Sequence, residues 1–129
     1  MTIDTTIRAA AMLAALAAAP AAAPQVTRTD LQRHDLGIAG RETVQARIDF
    51  PPGALAPPHM HPGEEIIYIL AGPLEYQVAG GTWRRYDTGE VLFIPAGTVH
   101  AARNTGMAPS AELATYVVEK GKPLVVLVP

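Results

Sequence analysis

Strand-like runs recur in this chain about every 8–12 residues, the spacing of an all-β sandwich or barrel. They are "TVQARIDF" (43–50), "EEIIYILA" (64–71), "LEYQVA" (74–79), "TWRRY" (82–86), "VLFI" (91–94), "TVHAAR" (98–103), "ELATYVV" (112–118) and "LVVLV" (124–128), with Gly or Pro separating most of them. The first alternates Val44, Ala46, Ile48 and Phe50 with Thr43, Gln45, Arg47 and Asp49, a period of two that marks a half-buried strand. Pro51, Pro52 and Gly53 end it, because proline cannot donate to a ladder and glycine suits a turn. Gly80 and Gly81 read as the tight turn of a hairpin. Nothing after Gln25 repeats with helical period, and no repeat or linker splits the chain, so the expected architecture is all-β and single-domain.

At 129 residues the chain is long enough for one independently folding core. The formal charge is −2, with no run of Lys or Arg. That argues against a nucleic-acid-binding face, and no helix-turn-helix pattern is present. The absence of Cys removes disulfides, thiolate metal sites, Cys nucleophiles and a lipoprotein anchor.

The start differs in composition. "MTIDTTIRAAAMLAALAAAPAAAP" carries Arg8, then an apolar run from Ala9 to Ala19, then A-x-A matches at 15–17 and 19–21. This is the outline of a secretory signal peptide, and the run is shorter than the ~20 apolar residues of a membrane span. Residues 1–24 are therefore expected to be a cleaved signal peptide or a disordered N-terminal segment, with the mature chain starting near Ala18 or Ala22 and residues 25–129 forming the domain. The expected location is periplasmic or secreted, without a membrane anchor.

The chemistry-bearing stretch is "PPHMHPGEE" (57–65). On an extended chain positions i and i+2 share a face, so His59 and His61 can address one point. Glu65 has the same parity unless Pro62-Gly63 bulges; Glu64 faces away. His100 lies on a separate strand. Imidazoles with a carboxylate suit Fe, Mn, Ni, Cu or Zn. The remaining histidine, His34, reads as an ordinary packed or exposed residue, not a ligand.

"GALAPPHMHPGEEIIYILAG" from Gly53 fits G-x5-H-x-H-x3-E-x6-G, and "GEVLFIPAGTVHAARN" from Gly89 fits G-x5-P-x-G-x2-H-x3-N. These are the two motifs of the cupins, and the chain resembles a small single-domain bacterial cupin over roughly residues 43–118. Its tail "ATYVVEKGKPL" resembles the quercetin-dioxygenase-like group. The resemblance implies a jelly-roll β-barrel holding one divalent transition metal through His59, His61, Glu65 and His100. Gly53, Gly72, Gly89 and Gly97 would take the positive φ of tight turns, and Asn104 would be a turn former.

Ile67 and Ile69 share parity with Glu65 and should face the barrel interior, joined by Val91 and Phe93 if those face in. Arg47, Tyr68, Tyr76, Gln77 and Tyr116 are polar strand residues within reach of an interior cavity. No second carboxylate or histidine stands out as a general base. Trp83, Arg84 and Arg85 read as a surface or subunit contact, and the apolar tail "PLVVLV" suggests a homodimer, or a tail packed on its own barrel. The expected function is that of a metal-dependent dioxygenase or related oxidoreductase acting on a small organic molecule. The alternatives are a non-catalytic small-molecule or metal-binding protein and a metal-assisted isomerase, lyase or decarboxylase.

Overall fold

A computed structural model describes residues 14–17 and 22–129; most of the expected signal segment lies outside the described residues. The described chain is all-β. Ten strands form two antiparallel five-stranded sheets. The first has the order β1 (Thr27–Asp35), β2 (Arg41–Phe50), β9 (Ser110–Glu119), β4 (Gly63–Ala71), β7 (Val91–Ile94). The second has the order β10 (Val126–Leu127), β3 (Leu55–Met60), β8 (His100–Arg103), β5 (Leu74–Val78), β6 (Arg84–Tyr86). The arrangement is the jelly roll that the strand spacing implies.

The core lies between the sheets and follows side-chain alternation. Val44, Ala46, Ile48 and Phe50 of β2 are buried together with Ile67 and Ile69 of β4 and Ala114, Tyr116 and Val118 of β9. Each is an inward position of a ladder whose other face is polar or half-exposed, so a slip of one residue would turn this set outward. Gly63 lies opposite Val118, and a Cβ there would run into the Val117 carbonyl oxygen. Only glycine lets β4 start that close to β9.

Several expectations change. β1 had no strand signal, and all nine of its residues are exposed; an edge strand with neither face buried has no alternation to read. The hairpin turn sits one residue earlier than expected, with Ala79 and Gly80 both at positive φ and Gly81 N–H donating to Val78 O at 3.0 Å. That is the primed turn whose twist suits a hairpin. Gly53, Gly89 and Gly97 have positive φ, but Gly72 does not. Its glycine is needed for space instead, since a Cβ would lie 2.9 Å from the Thr88 nitrogen.

Val91 and Phe93 face out, at 65% and 58% exposure. β7 pairs Ile94 with Glu65 and Leu92 with Ile67, which turns Leu92 and Ile94 inward. The tail contributes only a two-residue strand, pairing Val126 with Met60 and Leu127 with His59. Trp83 is half-buried, with the Arg103 guanidinium 4.0 Å above its ring.

Asn104 is more than a turn former. It is 1% exposed. Its amide donates to Phe50 O and Ala108 O, both at 2.9 Å, and its Oδ1 accepts from Gly106 N–H at 2.9 Å. It ties the end of β2 to the loop before β9. Asn104→Ala removes the partner of the buried Phe50 carbonyl and of two less buried backbone groups and should cost ~1–3 kcal/mol, read from urea denaturation; a loss under ~0.5 kcal/mol would show that the bracket is dispensable.

Candidate metal centre

His59 is the penultimate residue of the Pro-rich strand β3, whose ladder with β8 is irregular between Ala56 and His59, around Pro57 and Pro58. His61 follows in the connection to β4. His100 opens β8 directly opposite His59. Glu65 lies on β4, and the register from Gly63 through Glu65 is unbroken. Pro62-Gly63 therefore does not bulge, and Glu65 is buried while Glu64 is only half-buried. His61, Glu65 and His100 are 4%, 2% and 3% exposed. One ring nitrogen from each of His59, His61 and His100 lies within 4.8 Å of the others, a spacing that could hold a metal ion. Glu65 Oε2 lies 2.8 Å from His61 Nε2 and 3.0 Å from His100 Nε2. His34 is exposed on β1.

Backbone carbonyls set the protonation of all three rings. His59 Nδ1–H donates to Pro57 O at 2.7 Å, His61 Nδ1–H to Leu124 O at 2.7 Å, and His100 Nδ1–H to Thr98 O at 2.9 Å. In a neutral imidazole the other nitrogen is then a bare acceptor. Two such lone pairs face the Glu65 carboxylate across 2.8 and 3.0 Å. Acceptor against acceptor is repulsive unless a cation, proton or metal, lies between them. His61 Nε2 has no aligned hydrogen-bond partner despite its burial. The donor set fits a divalent transition metal on these grounds.

Burial pushes the His59 pKa down to about 4, so the ring stays neutral well below the usual histidine range. For Glu65, burial raises the pKa, but when the cation between it and the rings is a proton, hydrogen bonds from His100 and His61 and then their charge outweigh burial and bring it to about 2.

A cavity of about 380 Å3 opens from the cluster. Its walls include Ile48, Phe50, Tyr76, Ala102, Glu112 and Tyr116. Of the five polar strand residues considered from sequence, Tyr76 and Tyr116 reach it. Tyr68 is 46% exposed on the outer face. Gln77 donates to Gly81 O, and Arg47 pairs with Asp49. Ile67 and Ile69 pack in the core beside the cavity rather than lining it. The Tyr116 ring lies edge-on to His61 at 4.7 Å.

Glu112 is the residue that sequence reasoning missed. It is 4% exposed, and burial first, then the charge of Glu65, hold its pKa well above the carboxylate range. Its parity with Ala114 and Tyr116 on β9 was the available signal.

Comparison with known proteins agrees with this geometry. The cupin domain profile matches residues 46–119, and the chain belongs to the cupin family. It is 38% identical over 76 residues to germin-like protein subfamily 2 member 2 of Arabidopsis thaliana, covering 55% of this chain and 35% of that protein. It is 45% identical over 56 residues to the dimethylsulfoniopropionate lyase DddQ of Ruegeria pomeroyi, covering 43% of this chain and 28% of the lyase. The lyase crystal structure superposes with TM-score 0.60 at 32% identity, over 67% of this chain and 43% of that one. Oxalate oxidase in complex with glycolate superposes with TM-score 0.64 at 27% identity, over 81% of this chain and 55% of that one. The chain thus spans about a third of the length of the germin-like relative.

The pH dependence of the metal-free protein follows from His59. Its folded pKa is about 4 against an ordinary 6.5, so the unfolded chain takes up this proton first. Its contribution to stability is complete above pH 6.5 and is lost as pH falls toward 4. Glu112 has the opposite sign, and Glu65 changes only below the ordinary 4.5. The Tm advantage of wild type over His59→Gln, measured with chelator present, should shrink as pH falls from 6.5 to 4; a constant difference would refute the neutral, half-buried ring.

Proposed function

We propose that the protein holds one divalent transition metal on His59, His61, His100 and Glu65, and that it is a metal-dependent oxidoreductase of dioxygenase type acting on a small organic molecule. The observation that carries this reading is the set of three Nδ1–H donors tied to backbone carbonyls, which leaves three ring lone pairs and the Glu65 carboxylate to meet one cation. Bound there, a redox-active metal would supply Lewis acidity and electron transfer at a position open to the cavity. His59, His61 and His100 would each offer the ring nitrogen left free by its Nδ1–H bond. Glu65 adds the one anionic donor.

The similarity to oxalate oxidase supports the oxidoreductase class, and the tail sequence is the support for a quercetin-dioxygenase-like assignment. A lyase is the second reading, favoured by the 45% identity to the dimethylsulfoniopropionate lyase and by Tyr116 beside His61. Burial, then the charges of Glu65 and Glu112, raise the Tyr116 pKa. Tyr116 and Glu112 are therefore hydrogen-bond donors in the resting site, and an elimination would first need one of them to release its proton. Residues 1–24 are proposed as an export signal, which fits a periplasmic or secreted enzyme.

We also place a homodimer contact on the outer face of the β4–β7 edge. Ile66 and Phe93 pair there, as do Tyr68 and Val91, and all four are at least 46% exposed. A second copy presents the same apolar strip, as two-fold pairing requires. Phe93→Glu should convert dimer to monomer by sedimentation; an unchanged mass would place any contact elsewhere.

The central test is elemental analysis of purified protein followed by oxygen uptake. His100→Ala and His59→Ala should lower metal content at least ~10-fold, and wild-type levels in both variants would remove the site. Oxygen consumed together with a phenolic or small acid supports the oxidoreductase. Product without oxygen consumption selects the lyase, and saturable binding without product selects a binding protein.

A further inference from the structure

Two polar groups in the cavity have no partner, and neither belongs to the histidine cluster. Glu112 Oε2 and Tyr76 Oη are buried without a hydrogen bond, in residues 4% and 2% exposed. They come from opposite sheets, β9 and β5, and both line the cavity. Buried polar groups are normally satisfied, and each exception asks for a reason. The Tyr76 ring packs in the core against Tyr86, but its hydroxyl and Glu112 Oε2 add no hydrogen bond to the fold among the described residues.

Register places them relative to the cluster. Glu65 lies opposite Tyr116 on β9, and Glu112 lies opposite Ile69. Glu112 is thus four positions from the Glu65 level along the same inward row, ~13 Å of strand rise. In the facing sheet, Val78 lies opposite His100 and Tyr76 opposite Ala102, one inward step from the cluster. Ile48 pairs with Glu112 on the other side of β9. The cavity therefore has, beyond the histidine cluster, two unpartnered polar groups on facing sheets at two and four residues' remove along the strands, with Ile48, Phe50 and Ala102 among its apolar walls.

We infer that Glu112 and Tyr76 form a recognition subsite that donates hydrogen bonds to an acceptor oxygen at the far end of a small, mostly apolar substrate whose near-end oxygens sit at the metal. This rests on the metal reading above and names the substrate class for it. A phenol is a donor here, and the carboxyl, kept protonated by burial and by Glu65, is a second one. A carbonyl oxygen satisfies both, so oxo acids with an apolar spacer fit. A plain fatty acid would leave both donors unpaired.

The test uses full-length protein loaded with Ni2+ and titrated calorimetrically with 4-oxopentanoate and 6-oxoheptanoate, each compared with the acid lacking the ketone. Wild type should prefer at least one oxo acid by ~10-fold or more. Glu112→Met should abolish that preference, Tyr76→Phe should reduce it, and Glu112→Gln, which keeps a donor, should retain part of it. Metal content should stay at wild-type level in all three. Independently of any ligand, Glu112→Met should raise the Tm of the metal-free protein by ~4 °C or more, because it removes an unpaired buried polar group. Equal binding of oxo and plain acids, or binding of neither by metal-loaded wild type, overturns the subsite. A lower Tm or misfolding of Glu112→Met overturns it too, by showing a structural role. Failure of wild type to take up Ni2+ or any other divalent metal instead sinks the metal reading, and the subsite with it.

Discussion

Three hydrogen bonds set the chemistry of this protein: the Nδ1–H groups of His59, His61 and His100 donate to the carbonyls of Pro57, Leu124 and Thr98. Two of these carbonyls lie two residues before the ring they hold. The third comes from the far end of the chain. Without them each imidazole could change tautomer and turn a proton toward Glu65, and the cluster would become a self-satisfied hydrogen-bond network. With them, the rings present lone pairs to a carboxylate that burial alone would make hard to ionise. The fold's task is to keep that frustrated arrangement closed, which it does by putting Glu65 on β4, well inside its sheet.

Much of the fold was legible because β2 and β9 each bury one face. Alternation in "TVQARIDF" and "ELATYVV" tracks what is inside, and the motif spacing brought His59, His61 and His100 together before any coordinates. Legibility failed where alternation fails. β1 exposes every residue, so nothing in "TRTDLQRHD" distinguishes strand from loop. In "VLFI" all four residues are apolar, and only the pairing of Ile94 with Glu65 decides which two face in. β3 contains Pro57 and Pro58, normally breakers, tolerated at a local irregularity of the ladder.

The candidate site was legible at its cation end and blank at its other end. A motif carries the candidate ligands, whereas Glu112 and Tyr76 belong to no motif and come together only once two sheets are stacked. A carboxylate inside an apolar strand looks like an outward residue until its parity with Ala114 and Tyr116 is counted. Among Arg47, Tyr68, Tyr76, Gln77 and Tyr116, composition alone could not choose, because the choice depends on which face of each ladder turns inward.

The Leu124 carbonyl has a consequence of its own. It precedes a strand of only two residues, β10, laid along the outer edge of β3, while Val125 and Leu127 border the cavity. So weakly laddered an edge can detach locally without the barrel opening, and each detachment would free the ring of His61 to rotate while widening the entrance. The orientation of His61 and the width of the cavity mouth are thereby geared to one short piece of chain.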